Sequence, residues 1–204
     1  MAKQTWKPGN MVYPAPAVMV SVADKAGNTD IITAAWTGNI CSDPAMTYVS
    51  VRPERFSYHM IEETQCFVIN LTTKGLAKAT DYCGVRSGRN VNKWKETGLT
   101  PEKADHIPAP LIGESPVNIE CQVVNHLDLG SHTMFIAKVL AVHVEEAYMD
   151  EKGKFDLTAA GLMADAHVEY LELGKKIGAF GFSVKKKPAA RKKIKSPTRK
   201  GQKK

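Results

Sequence analysis

The chain has 204 residues, 43% of them hydrophobic, so it is long enough to form one globular domain with a sizeable core. Its net charge of +7 is unevenly distributed, because residues 185–204 hold eleven Lys or Arg and no Asp or Glu. The other 184 residues carry 17 basic and 21 acidic side chains, which argues against nucleic-acid binding by the domain itself. We therefore expect a domain over residues 1–184 and a basic, disordered tail over residues 185–204.

Six segments have the β-branched composition or the alternation typical of strands. They are residues 18–22, 30–36, 46–51, 66–71, 117–127 and 133–144. The first two are expected to form a hairpin through Gly27 and Asn28, and the last two a second hairpin through residues 128–131. Short strands at this spacing, without a βαβ rhythm, favour a mainly β, antiparallel barrel or sandwich with small helices.

Three short helices are expected between these strands. Ser57 is the predicted N-cap of the first helix, and Thr72 or Thr73 that of the second. The third helix is predicted over residues 90–96 and ends before Gly98. The segment 101–116 contains four prolines and is interpreted as a connecting arm.

The cysteines, at positions 41, 66, 83 and 121, form neither a CxxC pair nor a zinc-binding pattern. Residues 1–10 lack the apolar core of a secretory signal, and no apolar run is long enough to span a membrane. These features predict no metal site and a cytoplasmic protein with reduced thiols.

The most informative segment runs from residue 32 to residue 58 and reads ITAAWTGNICSDPAMTYVSVRPERFSY. Small residues at 33–35 would let a flat ligand approach the backbone. Arg52 and Arg55 precede a predicted helix start, where guanidinium groups and free N–H groups can bind a phosphate. The segment therefore suits a ligand with a planar polar ring at one end and a phosphate at the other. An arginine pair that is only solvated or salt-bridged remains the alternative.

Four motifs resemble the flavin reductase-like family, and specifically its flavoredoxin-like branch. They are TAAWTGNICSDP, SVRPERFSY, DYCGVRSGRNVNKW and GSHTMFIAKV. The resemblance covers about residues 10–184. It implies an antiparallel, Greek-key split β-barrel that forms a homodimer and holds FMN noncovalently near the subunit interface. It also implies an oxidoreductase that carries electrons from NAD(P)H or a protein donor to flavin or another acceptor.

The resemblance further assigns residues to parts of the FMN molecule. Those implied for the isoalloxazine ring are Thr33, Ala34, Ala35 and Trp36, and Thr37 is a further cofactor-binding candidate. Those implied for the ribityl chain are Ser50, Val51 and Arg52. Those implied for the phosphate are Arg52, Arg55 and Ser57, with Lys93 as a further candidate, while Cys83, Gly84 and Ser87 would complete the pocket. Cys83 is interpreted as a small packing group rather than a redox centre.

His132 is the candidate catalytic residue, since relatives place a histidine implicated in nicotinamide binding at this position. A turn histidine bonded to the backbone is the alternative. Ser131 stands where many relatives have Asp, which leaves open an FMN-binding electron-transfer module without reductase activity of its own. His167 and Tyr170 are expected either to close over the flavin or the dimer interface, or to lie on an amphipathic helix. A third functional alternative is nonspecific, salt-sensitive binding of nucleic acid or of a membrane surface through the basic tail.

Overall fold

The computed structural model describes residues 1–184, so the predicted basic tail lies outside the described residues. Met1–Leu173 form one compact unit, and a second unit begins at Gly174. Within residues 174–184 the chain forms a 3-10 turn at Phe182–Val184. The predicted domain boundary at residue 184 stays a prediction. Among the described residues, no helix has the length and apolarity needed to cross a bilayer.

The described part of the chain is mainly β. Its strands are β1 (Ala15–Pro16), β2 (Val18–Ala23), β3 (Thr29–Ala34), β4 (Thr37–Ser42), β5 (Ala45–Val51), β6 (Cys66–Leu71), β7 (Pro101–Glu102), β8 (Leu111–Ile112), β9 (Val117–Asp128), β10 (Thr133–Val144), β11 (Met163–Asp165) and β12 (Tyr170–Glu172). Its helices are α1 (Phe56–Thr64), α2 (Ala77–Val85) and α3 (Lys93–Thr97), and 3-10 turns occupy Lys74–Leu76 and Glu146–Tyr148.

Seven strands form one sheet in the order β3-β2-β6-β9-β10-β5-β4, and every neighbouring pair is antiparallel. A three-stranded sheet, β1-β11-β12, and a two-stranded sheet, β7-β8, complete the described strands. The six strands predicted from sequence are all present, and both predicted hairpins form. The antiparallel, mainly β class is confirmed.

Strand β2 is buried along its whole length because the sheet is covered on both faces. Val18, Val20 and Val22 belong to the main core cluster, which includes residues of α1, β6 and β10. Met19 points to a second cluster, which includes residues of α2 and α3. The alternate side chains of β2 therefore fasten the helices to opposite faces of the sheet.

The helix starts differ from the predictions. Helix α1 is preceded by Arg55 as N-cap, and no side chain bonds the cap position, so the predicted cap by Ser57 is wrong. The hydroxyl of Ser57 instead donates to a buried carboxylate. Thr73 precedes the 3-10 turn at Lys74–Leu76 and makes no capping bond either. Helix α3 begins at Lys93, and Asn92 caps it by accepting the N–H of Lys95 at 3.1 Å.

Two further segments also differ from expectation. The residues after Trp36, which lie outside the six predicted strands, form strand β4 and pair with β5. The segment containing His167 and Tyr170 is a β-hairpin, β11-β12, rather than an amphipathic helix. His167 and Val168 form its turn with φ values of 57° and 71°. The expectation of a helix there is wrong because antiparallel pairing with β1 and β11 determines the local structure.

The proline-rich arm is anchored to the sheet by Glu120 of β9, whose side chain is fully buried. The carboxylate accepts the backbone N–H of Asp105 at 2.8 Å and that of His106 at 2.9 Å, and lies 2.6 Å from Nε2 of His143. Burial alone would raise the pKa of Glu120, but the N–H of Asp105 and the His143 ring hold it below the ordinary value. Asp105, Glu120 and His143 offer metal-ligand atoms within 4.8 Å of one another, yet both Glu120 oxygens already accept backbone hydrogen bonds. This group is therefore a structural anchor.

Candidate functional site

A cleft of about 520 Å³ lies between the start of α1 and the segment that follows α2. We call it the basic cleft, because four arginines and Lys93 line it. Its lining residues are Ile32, Arg52, Glu54, Arg55, Phe56, Ser57, Cys83, Arg86, Ser87, Gly88, Arg89 and Lys93. Six of the fourteen predicted FMN-binding residues are among them, and both arginines predicted to hold a phosphate are included.

Three of the four arginines of the basic cleft have side-chain contacts with neighbouring residues. Arg55 donates to the carbonyl oxygen of Gly84 at 3.1 Å, which ties the start of α1 to α2. Arg89 donates to the carbonyl oxygen of Glu54 at 3.1 Å and lies 5.7 Å from the centre of the Phe56 ring. Arg52 lies 3.4 Å from the Glu54 carboxylate, and both side chains are exposed. Arg55 and Arg89 are therefore positioned by hydrogen bonds to the backbone, and both side chains remain open to an anion from solvent.

Beneath the basic cleft lies a buried ion pair that the sequence did not indicate. Nζ of Lys93 is 3.3 Å from Oδ1 of Asp30, and both side chains are only 3% exposed. Ser57 donates its hydroxyl hydrogen to Oδ2 of Asp30 at 2.6 Å, and Lys93 also donates to the carbonyl oxygen of Ile31. The side chains of Lys93 and Ser57 are thus already engaged. Ser57 retains its backbone N–H in the first turn of α1, where helical N–H groups lack helical partners.

The segment after α2 closes the other wall of the basic cleft. Cys83 is 1% exposed, and burial raises the pKa of its thiol to about 11, so the sulfur is protonated at neutral pH. A Cβ on Gly84 would stand 3.2 Å from Cβ of Thr33, so this position packs tightly on β3. The hydroxyl of Ser87 accepts the N–H of Arg89 at 3.3 Å. These contacts support the interpretation of Cys83 as a packing residue.

A second cleft, of about 570 Å³, adjoins the first at Arg52, which lines both. We call it the aromatic cleft. Its other lining residues are Asn10, Trp36, Tyr48, Ser50, Leu129, Ser131, His132 and Met134. The carbonyl oxygen of Trp36 accepts the N–H of Ser50 at 2.8 Å, which fixes the crossing from β3 to β4 against β5. The Trp36 and His132 ring centres are 6.4 Å apart and nearly perpendicular.

Six residues predicted to bind FMN line neither cleft. They are Thr33, Ala34, Ala35, Thr37, Val51 and Gly84. The hydroxyl of Thr33 donates to the carbonyl oxygen of Thr80, and that of Thr37 to the carbonyl oxygen of Tyr48 at 2.6 Å. These two hydroxyl groups are already used in supporting the clefts.

His132 has a polar partner despite the departure at position 131. The hydroxyl of Ser131 is 2.8 Å from Nδ1 of His132, so the serine gives the imidazole a hydrogen-bond partner. Burial, followed by the positive charge of Arg52, lowers the pKa of His132. The imidazole is therefore neutral at neutral pH and retains one acceptor and one donor nitrogen.

Two aromatic side chains extend the wall of the aromatic cleft away from His132. The ring of Tyr13 is 6.5 Å from that of Trp36, and the ring of His167 meets Tyr13 edge-on at 5.6 Å. The hairpin turn that carries His167 thus reaches the neighbourhood of the aromatic cleft. Tyr13 has no motif around it, and only its position in the folded chain identifies it.

Three further residues that line the basic cleft lie in one of the four family motifs but were not predicted to bind FMN. The motif DYCGVRSGRNVNKW contains Arg86, Gly88 and Arg89, all of which line the basic cleft. Its alternating arginines and glycines were the available signal. No signal in the sequence marked Asp30, because it lies in a predicted strand 63 residues before its partner Lys93.

Comparison with known proteins gives a consistent result. Residues 10–164 match the family described as flavin reductase like domain. An uncharacterised protein of Pyrococcus abyssi is 31% identical over 79% of this chain and 90% of its own length. The structure of flavoredoxin from Desulfovibrio vulgaris (Miyazaki F) is similar with a TM-score of 0.84 and 30% identity, covering 90% of this chain and all of that chain. Flavoredoxin from Methanosarcina acetivorans is similar with a TM-score of 0.79 and 26% identity over the same shares. The chain therefore belongs to the flavin reductase-like family and has its split β-barrel fold.

Proposed function

We propose that the chain binds FMN across the two clefts and carries electrons from NAD(P)H or a protein donor to flavin or another acceptor. The phosphate would lie in the basic cleft and the isoalloxazine ring in the aromatic cleft. The observation that carries this proposal is that the clefts meet at Arg52, so one ligand can occupy both. FMN, when bound, supplies the redox chemistry, and the protein supplies position and electrostatics.

The basic cleft has the properties of a phosphate site. Arg52 and Arg55 are exposed guanidinium groups next to the start of α1, a nine-residue helix. The first N–H groups of a helix have no helical acceptors and carry partial positive charge. Guanidinium groups beside such an end bind phosphate by charge-assisted hydrogen bonds. Because the Lys93 charge is neutralised by Asp30, the arginines would supply the attraction.

The aromatic cleft has the properties of a site for a planar ring. Trp36, Tyr48 and His132 provide flat faces, and Met134 provides an adaptable apolar contact. His132 is neutral at neutral pH, so it can approach a ring or a nicotinamide without adding charge. Ser131 keeps the imidazole oriented. These features support a role for His132 in positioning an electron donor.

The test compares FMN with riboflavin, which lacks the phosphate. Each charged hydrogen bond lost should weaken FMN by about 1.5–3 kcal/mol, or roughly tenfold or more. We expect Arg52→Ala and Arg55→Ala to weaken FMN by that amount and to weaken riboflavin far less, as measured by quenching of flavin fluorescence. Lys138→Ala, which removes an exposed positive charge on β10, is the control and should affect neither ligand. Equal loss of both ligands in the arginine variants, or a colourless protein that takes up no FMN, would contradict the proposal.

A flavin-binding module without its own NAD(P)H reductase activity is the second candidate, because Ser131 gives the imidazole a hydrogen bond but no negative charge. Mixing the FMN-loaded protein with NADH or NADPH without oxygen separates the two candidates. Rapid loss of flavin absorbance supports the reductase, and the rate measured at saturating FMN should fall at least about tenfold in His132→Ala. Absorbance that neither nucleotide bleaches supports the module, with a protein as donor.

The proposal also includes a homodimer of this chain. Five apolar side chains along β9, β10 and the turn between them are 37–59% exposed, namely Val124, Leu127, Leu129, Leu140 and Val142. An exposed apolar strip of this kind is typical of a protein interface. Leu129 also lines the aromatic cleft, which would bring a partner subunit close to the ring. Light scattering should give twice the chain mass of 22.4 kDa, and Val142→Lys should reduce it. A wild-type mass of one chain at all concentrations would contradict the dimer.

A further inference from the structure

Residues 174–184 expose their large apolar side chains to solvent. They belong to the second unit of the chain, which begins at Gly174, and we call them the apolar segment. Phe180 is completely exposed, and Ile177, Val184 and Phe182 are 94%, 83% and 57% exposed. Large apolar side chains scattered singly over a surface are ordinary, but four of them in so short a segment indicate an interaction surface.

A tight turn presents the two phenylalanines of the apolar segment. The N–H of Phe182 donates to the carbonyl oxygen of Ala179 at 2.9 Å, so Phe180 and Gly181 are the central residues of a four-residue turn. Gly181 has a φ of 78°, which the third residue of a type II turn requires and glycine adopts without strain. Phe180 therefore lies at the tip of the turn. An added Cβ on Gly178 would stand 2.6 Å from Cδ1 of Phe182, so glycine there lets that ring pack on the backbone.

The sequence in and after the apolar segment is basic throughout. Lys175 and Lys176 are exposed within the segment, and the eleven Lys or Arg of residues 185–204 follow it directly. Neither Asp nor Glu occurs after Glu172. Exposed apolar side chains and a run of positive charge are thus adjacent along the chain. This combination favours a partner that carries negative charge and can also bury apolar groups.

We propose that the apolar segment and the basic tail together bind the surface of an anionic lipid bilayer. Each Lys or Arg held near anionic headgroups strengthens such binding by roughly fivefold. Phe180, Phe182 and Ile177 would enter the boundary between headgroups and acyl chains, where apolar side chains are removed from water. Stable attachment to a bilayer requires two signals of this kind, and the chain supplies both next to each other. The inference does not depend on the proposed FMN site.

The exposed apolar side chains favour a bilayer over a nucleic acid. Nonspecific binding to nucleic acid is driven by contacts with phosphates, for which positive charge is sufficient, and the tail would supply that charge to any polyanion. Bases stack on aromatic rings, but Ile177 and Val184 offer none. A bilayer can bury all four apolar side chains while its headgroups neutralise the lysines, so it uses every exposed feature of the segment.

The test measures co-sedimentation of the full chain with vesicles of phosphatidylcholine alone and with vesicles that contain about one-third phosphatidylserine. Phe180→Ser is compared with Val168→Ser as its matched control. Both side chains are at least 90% exposed, so neither change should affect folding, but Val168 lies in the turn between β11 and β12, outside the apolar segment. Binding of each protein to a double-stranded DNA oligonucleotide is measured in the same buffer. A further protein that ends at Val184 keeps the apolar segment without the eleven charges of the tail.

We expect the full chain to bind the phosphatidylserine vesicles much more strongly than phosphatidylcholine alone. Phe180→Ser should weaken vesicle binding about tenfold, because one buried phenylalanine is lost, whereas Val168→Ser should not, and neither should change DNA binding. The protein that ends at Val184 should lose at least about a hundredfold in vesicle binding. The proposal is overturned if the full chain does not bind the phosphatidylserine vesicles, or if Phe180→Ser binds them as well as Val168→Ser does. It is overturned as well if Phe180→Ser weakens DNA binding equally, since the apolar segment would then contact nucleic acid.

Discussion

The substitution Gly88→Ala tests the arrangement beneath the basic cleft most directly. The added Cβ would meet Cδ1 of Phe56 at 2.6 Å and Cγ of Asp30 at 2.7 Å, both well inside the contact distance of carbon atoms. Neither neighbour is free to move, because Asp30 is bonded to Lys93 and Ser57 and the Phe56 ring is covered by Arg89. The methyl group must therefore disturb either the buried ion pair or the start of α1.

The size of the effect follows from these two possibilities. Overpacking a well-packed site costs about 1–3 kcal/mol, and leaving a buried charge without its partner costs about 3–5 kcal/mol. Backbone strain does not contribute, since φ at position 88 is outside the left-handed region. We expect the free energy of unfolding to fall by about 3 kcal/mol. FMN affinity should fall as well, because Asp30 supports Ser57 and the cleft floor.

Urea unfolding followed by tryptophan fluorescence measures the first effect, and flavin titration measures the second. Gly75→Ala is the matched control, since its Cβ would stand 3.6 Å from Oγ1 of Thr73, an ordinary contact. It should change the unfolding free energy by less than about 0.5 kcal/mol. A Gly88→Ala protein as stable as Gly75→Ala, with unchanged FMN affinity, would refute the tight packing of this site.

Three other outcomes are expected. The pKa of Glu120 is lowered in the folded state, so its stabilising effect is complete above pH 4.5 and is lost as the pH falls further. The stability difference between wild type and Glu120→Gln should therefore shrink below that pH in acid titrations of unfolding, and a constant difference would contradict it. Cys66, Cys83 and Cys121 are buried, and burial raises the pKa of each of these thiols, so among the four cysteines only the exposed Cys41 should react rapidly with a thiol reagent at pH 8. Deleting residues 185–204 should leave FMN affinity unchanged and abolish salt-sensitive binding to polyanions, and loss of FMN would show that the tail has another role.

The sequence predicts the long strands because their patterns are strong. Strands β2, β3, β5, β6, β9 and β10 each contain a run of β-branched or alternating residues, and all six were expected. Strand β4 was not, because TGNICS contains Gly and Asn and its last residues are exposed on an edge. Its pairing with β5 depends on how the chain folds in three dimensions, which the local sequence does not indicate. The strands β1, β7, β8, β11 and β12 have two or three residues each, too few for any periodicity.

The sequence predicted those residues of the candidate site whose chemical signal lies within one short stretch of the chain. Arg52 and Arg55 stand beside a helix start, and the structure places both in one cleft. Ser57 was expected to cap that helix, but a carboxylate 27 residues earlier is its partner. The burial of Lys93 against Asp30 depends on how α3 packs on β3, which no spacing in the sequence reveals. Residues brought together by packing alone were missed for this reason.

The buried ion pair of Asp30 and Lys93 matters more for the positions of the neighbouring elements than for the stability of the fold. A buried ion pair rarely stabilises a protein more than apolar residues of the same size would. This pair joins β3 to α3, and through Ser57 it joins both to the first turn of α1. Three elements that surround the basic cleft are thereby held to one point, so the N–H groups of α1 and the arginines keep a fixed spacing before any ligand arrives. A binding site built in advance loses less conformational freedom when it is occupied, so the proposed phosphate site would bind its ligand more tightly than a mobile one.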